Sequence, residues 1–108
     1  RGREIARLAD RRKAIPAERV IAYEDPEDLA RMLTSAKIAL FRAVKEQPGS
    51  ITDIAARLKR DRSAVKRDID DLEQAGLVSV EEKPSPGHGR LKEVRAAADR
   101  IVLEAVFA

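Results

Sequence analysis

Apolar residues in the middle of the chain recur every three or four positions, which is the spacing of amphipathic helices. This period predicts three successive helices, over residues 35–46, 51–58 and 62–75. Each predicted start carries a side chain that can accept a hydrogen bond from the amides of the first turn. These cap residues are Thr34 or Ser35, Ser50 and Asp61. Two short helices joined by a tight turn, as predicted for residues 50–76, are the pattern of a helix-turn-helix.

The predicted helix over residues 62–75 has two distinct faces. At about 100° per residue, the apolar residues Val65, Ile69 and Leu72 fall in one narrow sector. Ser63, Arg67 and Asp70 lie opposite, with Lys66 beside them. We therefore expect the apolar set to pack in the core and the polar set to be presented outward.

A hairpin is predicted after this helix. Gly76 is placed to end the helix in a left-handed cap, and residues 77–82 and 91–96 follow as two strands. Between them, Pro84, Ser85, Pro86, Gly87, His88 and Gly89 predict an irregular tip that cannot continue regular structure. Helix, helix, strand, tip and strand is the order of a winged helix, with the hairpin as the wing.

The residues before the helix-turn-helix predict three short elements. Residues 3–13 fit an amphipathic helix that Pro16 ends, and residues 18–23 fit a short strand. Asp25 followed by proline is a helix start signal, which predicts a helix over residues 26–33.

Together these patterns predict one α+β domain, mainly α, because 108 residues suffice for a single modest core. The winged helix-turn-helix spans residues 34–97, after an N-terminal extension at 1–33 and before an apolar tail at 98–108. The pattern of the tail fits either a strand or a helical turn. We expect the two ends to serve as scaffold or in dimerisation, or else to pack on their own domain.

Composition narrows the class of function. The chain has no cysteine and one histidine, His88, which argues against a zinc finger, a disulfide framework, thiol chemistry and a metal site. The only aromatic residues are Tyr23, Phe41 and Phe107, whereas RNA and single-strand binders stack bases on aromatic side chains. No apolar run has the length of a membrane span or of a signal peptide. We expect a soluble, cytoplasmic protein without cofactor or membrane partner.

Charge is polarised within the helix-turn-helix. Residues 57–67 contain six basic residues and one acid, and residues 68–73 contain four acids and no base. Such a segment can point its positive end at phosphates while its acidic end stays in solvent or pairs with the scaffold. The alternative is that both runs are solvated helix faces. Adjacent carboxylates, such as Glu81 and Glu82, diverge on a strand, so we find no catalytic constellation and predict no enzyme.

A family resemblance rests on specific residues of this segment. They are Leu33-Thr34, Ser50-Ile51-x-x-Ile54-Ala55-x-x-Leu58, Val65-x-Arg67-Asp68-Ile69-x-x-Leu72, Gly76-Leu77-Val78 and the lead-in Tyr23-x-Asp25-Pro26-Glu27-Asp28-Leu29. With these the chain resembles the winged helix-turn-helix domains of MarR-like prokaryotic transcriptional regulators. It is particularly similar to small members described as predicted transcriptional regulators, some of which sit beside toxin genes.

The resemblance implies a homodimer that binds a palindromic operator, with the 62–75 helix in the major groove and the 83–92 wing near the minor groove. This chain lacks the long flanking helices of full-length MarR proteins. We therefore carry over neither their dimer interface nor their small-ligand pocket.

Nine residues are candidates for contact with double-stranded DNA. Arg67, followed by Ser63 and Lys66, is placed to reach base edges in the major groove. We expect phosphate contacts from Lys59, Arg60, Arg62 and Thr52. Arg90 and Lys92 of the wing are placed for the minor groove.

Each of these assignments has a structural alternative. Arg67 can instead pair with Asp70 or Asp71 within its helix, and Arg90 can belong to an exposed loop without a ligand. For the whole chain, the first hypothesis is a sequence-specific repressor, autoregulating if it is an antitoxin. The second is a winged-helix module that docks on a toxin or on the transcription machinery.

Overall fold

The computed structural model describes residues 15–87 and 89–108. Over these residues the chain forms an α+β arrangement of four helices and two two-stranded sheets. The elements are β1 (Glu18–Tyr23), α1 (Pro26–Met32), α2 (Ser35–Glu46), α3 (Ile51–Leu58), α4 (Arg62–Ala75), β2 (Val78–Ser85), β3 (Gly89–Ala96) and β4 (Arg100–Ala105). The order is compatible with a winged-helix-like fold. Among these residues, no helix has the length and hydropathy needed to cross a membrane.

The predicted helix positions are confirmed, except that α1 ends one residue earlier than expected, at Met32. The helix expected over residues 3–13 lies outside the described residues. The side chains of Asp25, Thr34, Ser50 and Asp61 accept hydrogen bonds from amides of their own first turns, at 3.0–3.2 Å. These bonds stabilise the helix starts, and they identify Thr34 as the cap of α2.

A tight turn of residues 59–61 joins α3 to α4. Lys59 adopts the left-handed conformation, with φ of 56°. Its amide donates to the carbonyl of Ala56 at 3.2 Å, and the amide of Arg60 donates to the carbonyl of Ala55 at 3.0 Å. This is the bonding of a Schellman motif, which glycine usually closes. The sequence lacks that glycine, yet the backbone makes the same turn.

The core lies where α2, α3 and α4 meet the β2–β3 hairpin. Its largest fully buried side chains are Leu40, Val44, Ile54, Val65, Ile69, Leu72 and Val94. The predicted apolar face of α4 supplies three of these, so that prediction is confirmed. Because that face is buried, the opposite side of α4 points outward.

The β2–β3 hairpin is longer than predicted. The two strands pair antiparallel from Val78↔Ala96 to Ser85↔Gly89. The prediction of an irregular tip over residues 84–89 is therefore wrong for Pro84, Ser85 and Gly89. The turn itself is formed at Pro86 and Gly87, and His88 lies outside the described residues.

The pairing of Val94 explains why Pro84 can continue the strand. Val94 exchanges both backbone hydrogen bonds with Gly49, at 2.8 and 3.2 Å, so its polar groups point away from β2. Hydrogen-bonded and non-hydrogen-bonded pairs alternate along an antiparallel ladder. Counting along the register places Pro84↔Arg90 at a non-hydrogen-bonded pair. The missing proline N–H therefore removes no ladder bond.

The apolar tail forms a strand, which settles the choice between strand and helical turn. β4 pairs in parallel with β1, from Glu18↔Arg100 to Tyr23↔Ala105. The N-terminal extension and the tail thus meet in one small sheet.

At the end of this sheet, the hydroxyl of Tyr23 is buried without a hydrogen-bond partner among the described residues. Burial, and secondarily the charge of Asp28, raises the pKa of Tyr23.

Candidate nucleic-acid interface

A groove of ≈ 600 Å³ runs between the start of α3, one side of α4 and the β2–β3 hairpin. The Gly49–Val94 bridge fixes the hairpin beside the first turn of α3. We call this concavity the α4–hairpin groove. Its charged lining residues are Asp53, Arg62, Lys66, Asp70, Glu73, Arg90 and Lys92. The groove therefore carries four cations and three anions, with one net positive charge.

Five of the nine predicted contact residues line this groove, although they come from three different elements. They are Thr52, Arg62, Lys66, Arg90 and Lys92. Ser63 and Arg67 lie on the neighbouring exposed side of α4 and do not line it. Within the described part of the chain, Arg67 makes no ion pair or side-chain hydrogen bond. The interpretation of Arg67 as paired with Asp70 or Asp71 is therefore not supported.

Thr52 and Arg62 hold the starts of the two helices together. Arg62 Nε donates to Thr52 Oγ1 at 2.9 Å. This bond ties Arg62 to the first turn of α3, and both residues line the groove. The N-terminus of α3 carries a positive partial charge, which adds to the positive potential of Arg62 in this part of the groove.

Two other groove cations are paired with acids in solvent. Lys66 Nζ lies 2.9 Å from Asp70 Oδ2, with the two side chains 52% and 56% exposed. Arg90 Nε lies 2.9 Å from Glu82 Oε1, and these side chains are also more than half exposed. Exposed pairs of this kind contribute about 0–1 kcal/mol. Neither pair therefore contributes much to the stability of the fold.

Arg60 occupies a different environment from the other predicted cations. Its Nη2 lies 2.9 Å from Asp68 Oδ2, and the side chains are only 26% and 17% exposed. This pair connects the α3–α4 turn to the middle of α4. The phosphate contact expected of Arg60 stays a prediction, and it would require the guanidinium group to leave this partly buried pair. Sequence patterns alone did not distinguish this arginine from its neighbours.

Two of the four acids in the second half of α4 pair with other parts of the fold. Asp68 binds Arg60, and Asp71 lies 3.4 Å from Lys37 of α2. Asp68 and Asp71 thus pair with the scaffold, whereas Asp70 and Glu73 are exposed to solvent. Part of the basic run also binds the fold itself, since Arg57 donates to two backbone carbonyls at the end of α2.

The outer part of the hairpin is held by a carboxylate between two cations. Glu93 Oε1 lies 3.0 Å from Lys83 Nζ and 3.1 Å from Arg95 Nε. Hydrogen bonds from Lys83 and then Arg95 lower the pKa of Glu93.

On the groove side of the hairpin, the side chain of Leu91 is 48% exposed. Leu91 also lines the groove, between Arg90 and Lys92 near the hairpin tip, and was not among the predicted contact residues.

A protein-family model matches most of the described fold. The model of the family described as HVO_A0114 matches residues 32–103. This range begins at the last residue of α1 and continues into β4. It therefore contains every residue of the α4–hairpin groove.

Two individual proteins are similar to parts of the chain. An uncharacterized protein of Methanocaldococcus jannaschii, MJ1503, is 50% identical over 38 residues, which are 35% of this chain and 29% of that protein. A solved structure named as a possible transcriptional regulator from Methanosarcina mazei Go1 superimposes with a TM-score of 0.54 at 18% identity. The superposition covers 65% of this chain and 61% of that one. The chain thus spans less than two thirds of either protein, and the structural likeness shows a shared fold.

Proposed function

This chain belongs to the HVO_A0114 family, and we propose that it is a transcriptional regulator that binds double-stranded DNA in a sequence-specific manner. The observation that carries the proposal is the convergence of Arg62, Lys66, Arg90 and Lys92 on one groove beside α4. The shared fold with the Methanosarcina mazei protein, named a possible transcriptional regulator, supports the same role.

In the proposed complex, α4 enters the major groove and residues 83–92 of the hairpin lie near the minor groove. Arg67, Ser63 and Lys66 contact base edges from the exposed side of α4, while Arg62 and Lys59 neutralise phosphates. We further propose a MarR-like winged helix that acts as a homodimeric repressor on a palindromic site. Two-fold symmetry of the protein would match the symmetry of such an operator.

Selection from a random DNA pool, followed by binding isotherms at two salt concentrations, tests this function. Arg67→Ala should lower affinity for the selected site by about 1–3 kcal/mol and relax one base position. Arg62→Ala should weaken selected and random duplexes alike and reduce the salt slope by about 1. Arg42→Ala, which removes the same charge from α2, is the matched control. Equal losses for Arg67→Ala and Arg42→Ala would contradict the proposal.

An apolar cleft favours a second function, docking on a protein partner such as a toxin or the transcription machinery. The cleft of ≈ 290 Å³ lies between α1, α2 and β4, and its lining includes Leu33, Ile38 and Phe41. Leu33 is 52% exposed at its edge. Under this second function, the protein would show no salt-sensitive duplex binding. Leu33→Lys should leave DNA binding intact if the first function is correct.

A further inference from the structure

Three carboxylates line the α4–hairpin groove, and among the described residues Asp70 is the one of them that pairs with a groove cation. Asp70 lines the α4–hairpin groove with 56% of its side chain exposed, and its Oδ2 lies 2.9 Å from Lys66 Nζ. A carboxylate only accepts hydrogen bonds, and phosphate oxygens offer it none. Asp70 therefore opposes phosphate at the position where Lys66 would otherwise attract it.

The Lys66–Asp70 pair presents a donor and an acceptor side by side. In the major groove, guanine offers the O6 and N7 acceptors, and its paired cytosine offers the N4 amino donor. The pair is thus complementary to the edge of a G·C base pair. A phosphate can satisfy Lys66 only by leaving the carboxylate of Asp70 unpaired beside a like charge.

Arg62 provides an internal contrast one helical turn away on the same side of α4. Its described contact is with the neutral hydroxyl of Thr52, and no acid pairs with it in the part of the chain that the structure describes. Nothing in that contact opposes a phosphate. The two cations on this side of α4 thus differ in their surroundings. Those of Arg62 suit a DNA phosphate, and those of Lys66 suit a base edge.

We infer that Asp70 determines specificity by directing Lys66 to the edge of a G·C pair and away from phosphate. The inference rests on the proposed DNA-binding function and assigns a base class to one position of the α4 surface. Asp70 acts here both as an acceptor for cytosine and as a barrier to non-specific binding.

Asp70→Asn tests this inference because it keeps the side-chain shape and removes the charge. Sequences selected from a random pool should lose a G·C preference at one position. Affinity for random duplex should rise about tenfold at ~0.1 M salt, as one added phosphate contact predicts. The salt slope on random DNA should steepen by ~0.9, as expected for one added phosphate contact. Glu104→Gln, which removes the same charge from the exposed side of β4, should change none of these quantities.

The outcomes separate the inference from the function on which it rests. If Asp70→Asn strengthens selected and random duplexes by the same factor with unchanged base preference, Asp70 acts only as bulk charge and the inference fails. Loss of preference at an A·T position overturns it as well. If the unmodified protein shows no salt-sensitive duplex binding, the proposed function itself fails.

Discussion

Replacing Arg60 by alanine should destabilise the fold by about 1.5–2 kcal/mol. Removing one partner of a fully buried ion pair costs about 3–5 kcal/mol, and an exposed pair contributes about 0.2–1 kcal/mol. The Arg60–Asp68 pair lies between these limits, at 2.9 Å with side chains 26% and 17% exposed. Arg60 Nη1 is buried without a partner among the described residues, and this cost offsets part of the stabilisation that the ion pair provides. We therefore expect a loss of free energy of unfolding in the lower part of the range between the exposed and the fully buried pair.

Lys66→Ala is the matched control, because the Lys66–Asp70 pair has the same 2.9 Å separation but is more than half exposed. It should cost about 0.3–0.5 kcal/mol. The assay is urea denaturation followed by circular dichroism, with the free energy of unfolding extrapolated to water. The double variant Arg60→Ala, Asp68→Ala should cost less than the sum of the single variants, because neither charge is then left alone.

Equal losses for Arg60→Ala and Lys66→Ala would refute this reasoning, since burial would then make no difference at constant distance. So would a strictly additive double variant. An unchanged free energy of unfolding with uniformly weakened DNA binding would restore Arg60 to the phosphate contacts expected from the sequence.

Three further substitutions test the contacts around this turn and the hairpin. Arg57→Ala removes hydrogen bonds of 3.2 and 2.7 Å to the carbonyls at the end of α2, and should lower stability by about 1 kcal/mol; an unchanged thermal midpoint would contradict this. Lys59→Gly removes the strain of a non-glycine residue in the left-handed backbone conformation, at φ 56°. After glycine's larger unfolded-state entropy is subtracted, the free energy of unfolding should rise by about 0.5 kcal/mol. A lower free energy of unfolding would contradict this. Glu93→Gln should destabilise the protein at neutral pH by about 0.5 kcal/mol. Because the folded pKa of Glu93 lies below 4.5, that difference should disappear as the pH falls through the folded pKa, in urea denaturations at several pH values; a pH-independent difference would contradict it.

The sequence by itself determined the helices, because their signals are local. Caps such as Ser50 and Asp61 act within one turn, and the apolar period of α4 selects Val65, Ile69 and Leu72 for the core without knowledge of any other element. The turn at Lys59 was predicted in position but not in conformation, since glycine, the usual signal, is absent. Local signals were weaker for the hairpin, where Pro84 ended the predicted strand too early.

Tertiary structure alone decided the pairings between distant residues. β1 and β4 lie at opposite ends of the described chain, and no periodicity in either reveals that they are parallel partners. The hydrogen bonds between Gly49 and Val94 likewise set the phase of the hairpin ladder from outside it. That phase is the reason why Pro84 is tolerated.

The same division applies to the candidate site. Residue types identified a basic segment around the turn, and five of the predicted residues do line one groove. Which cations point outward was decided by their partners in space: Arg57 caps α2 and Arg60 is held by Asp68, while Arg62 and Lys66 face the groove. Like residues in one charge run cannot be told apart by composition, because burial and the nearest opposite charge depend on how α2, α3 and α4 pack.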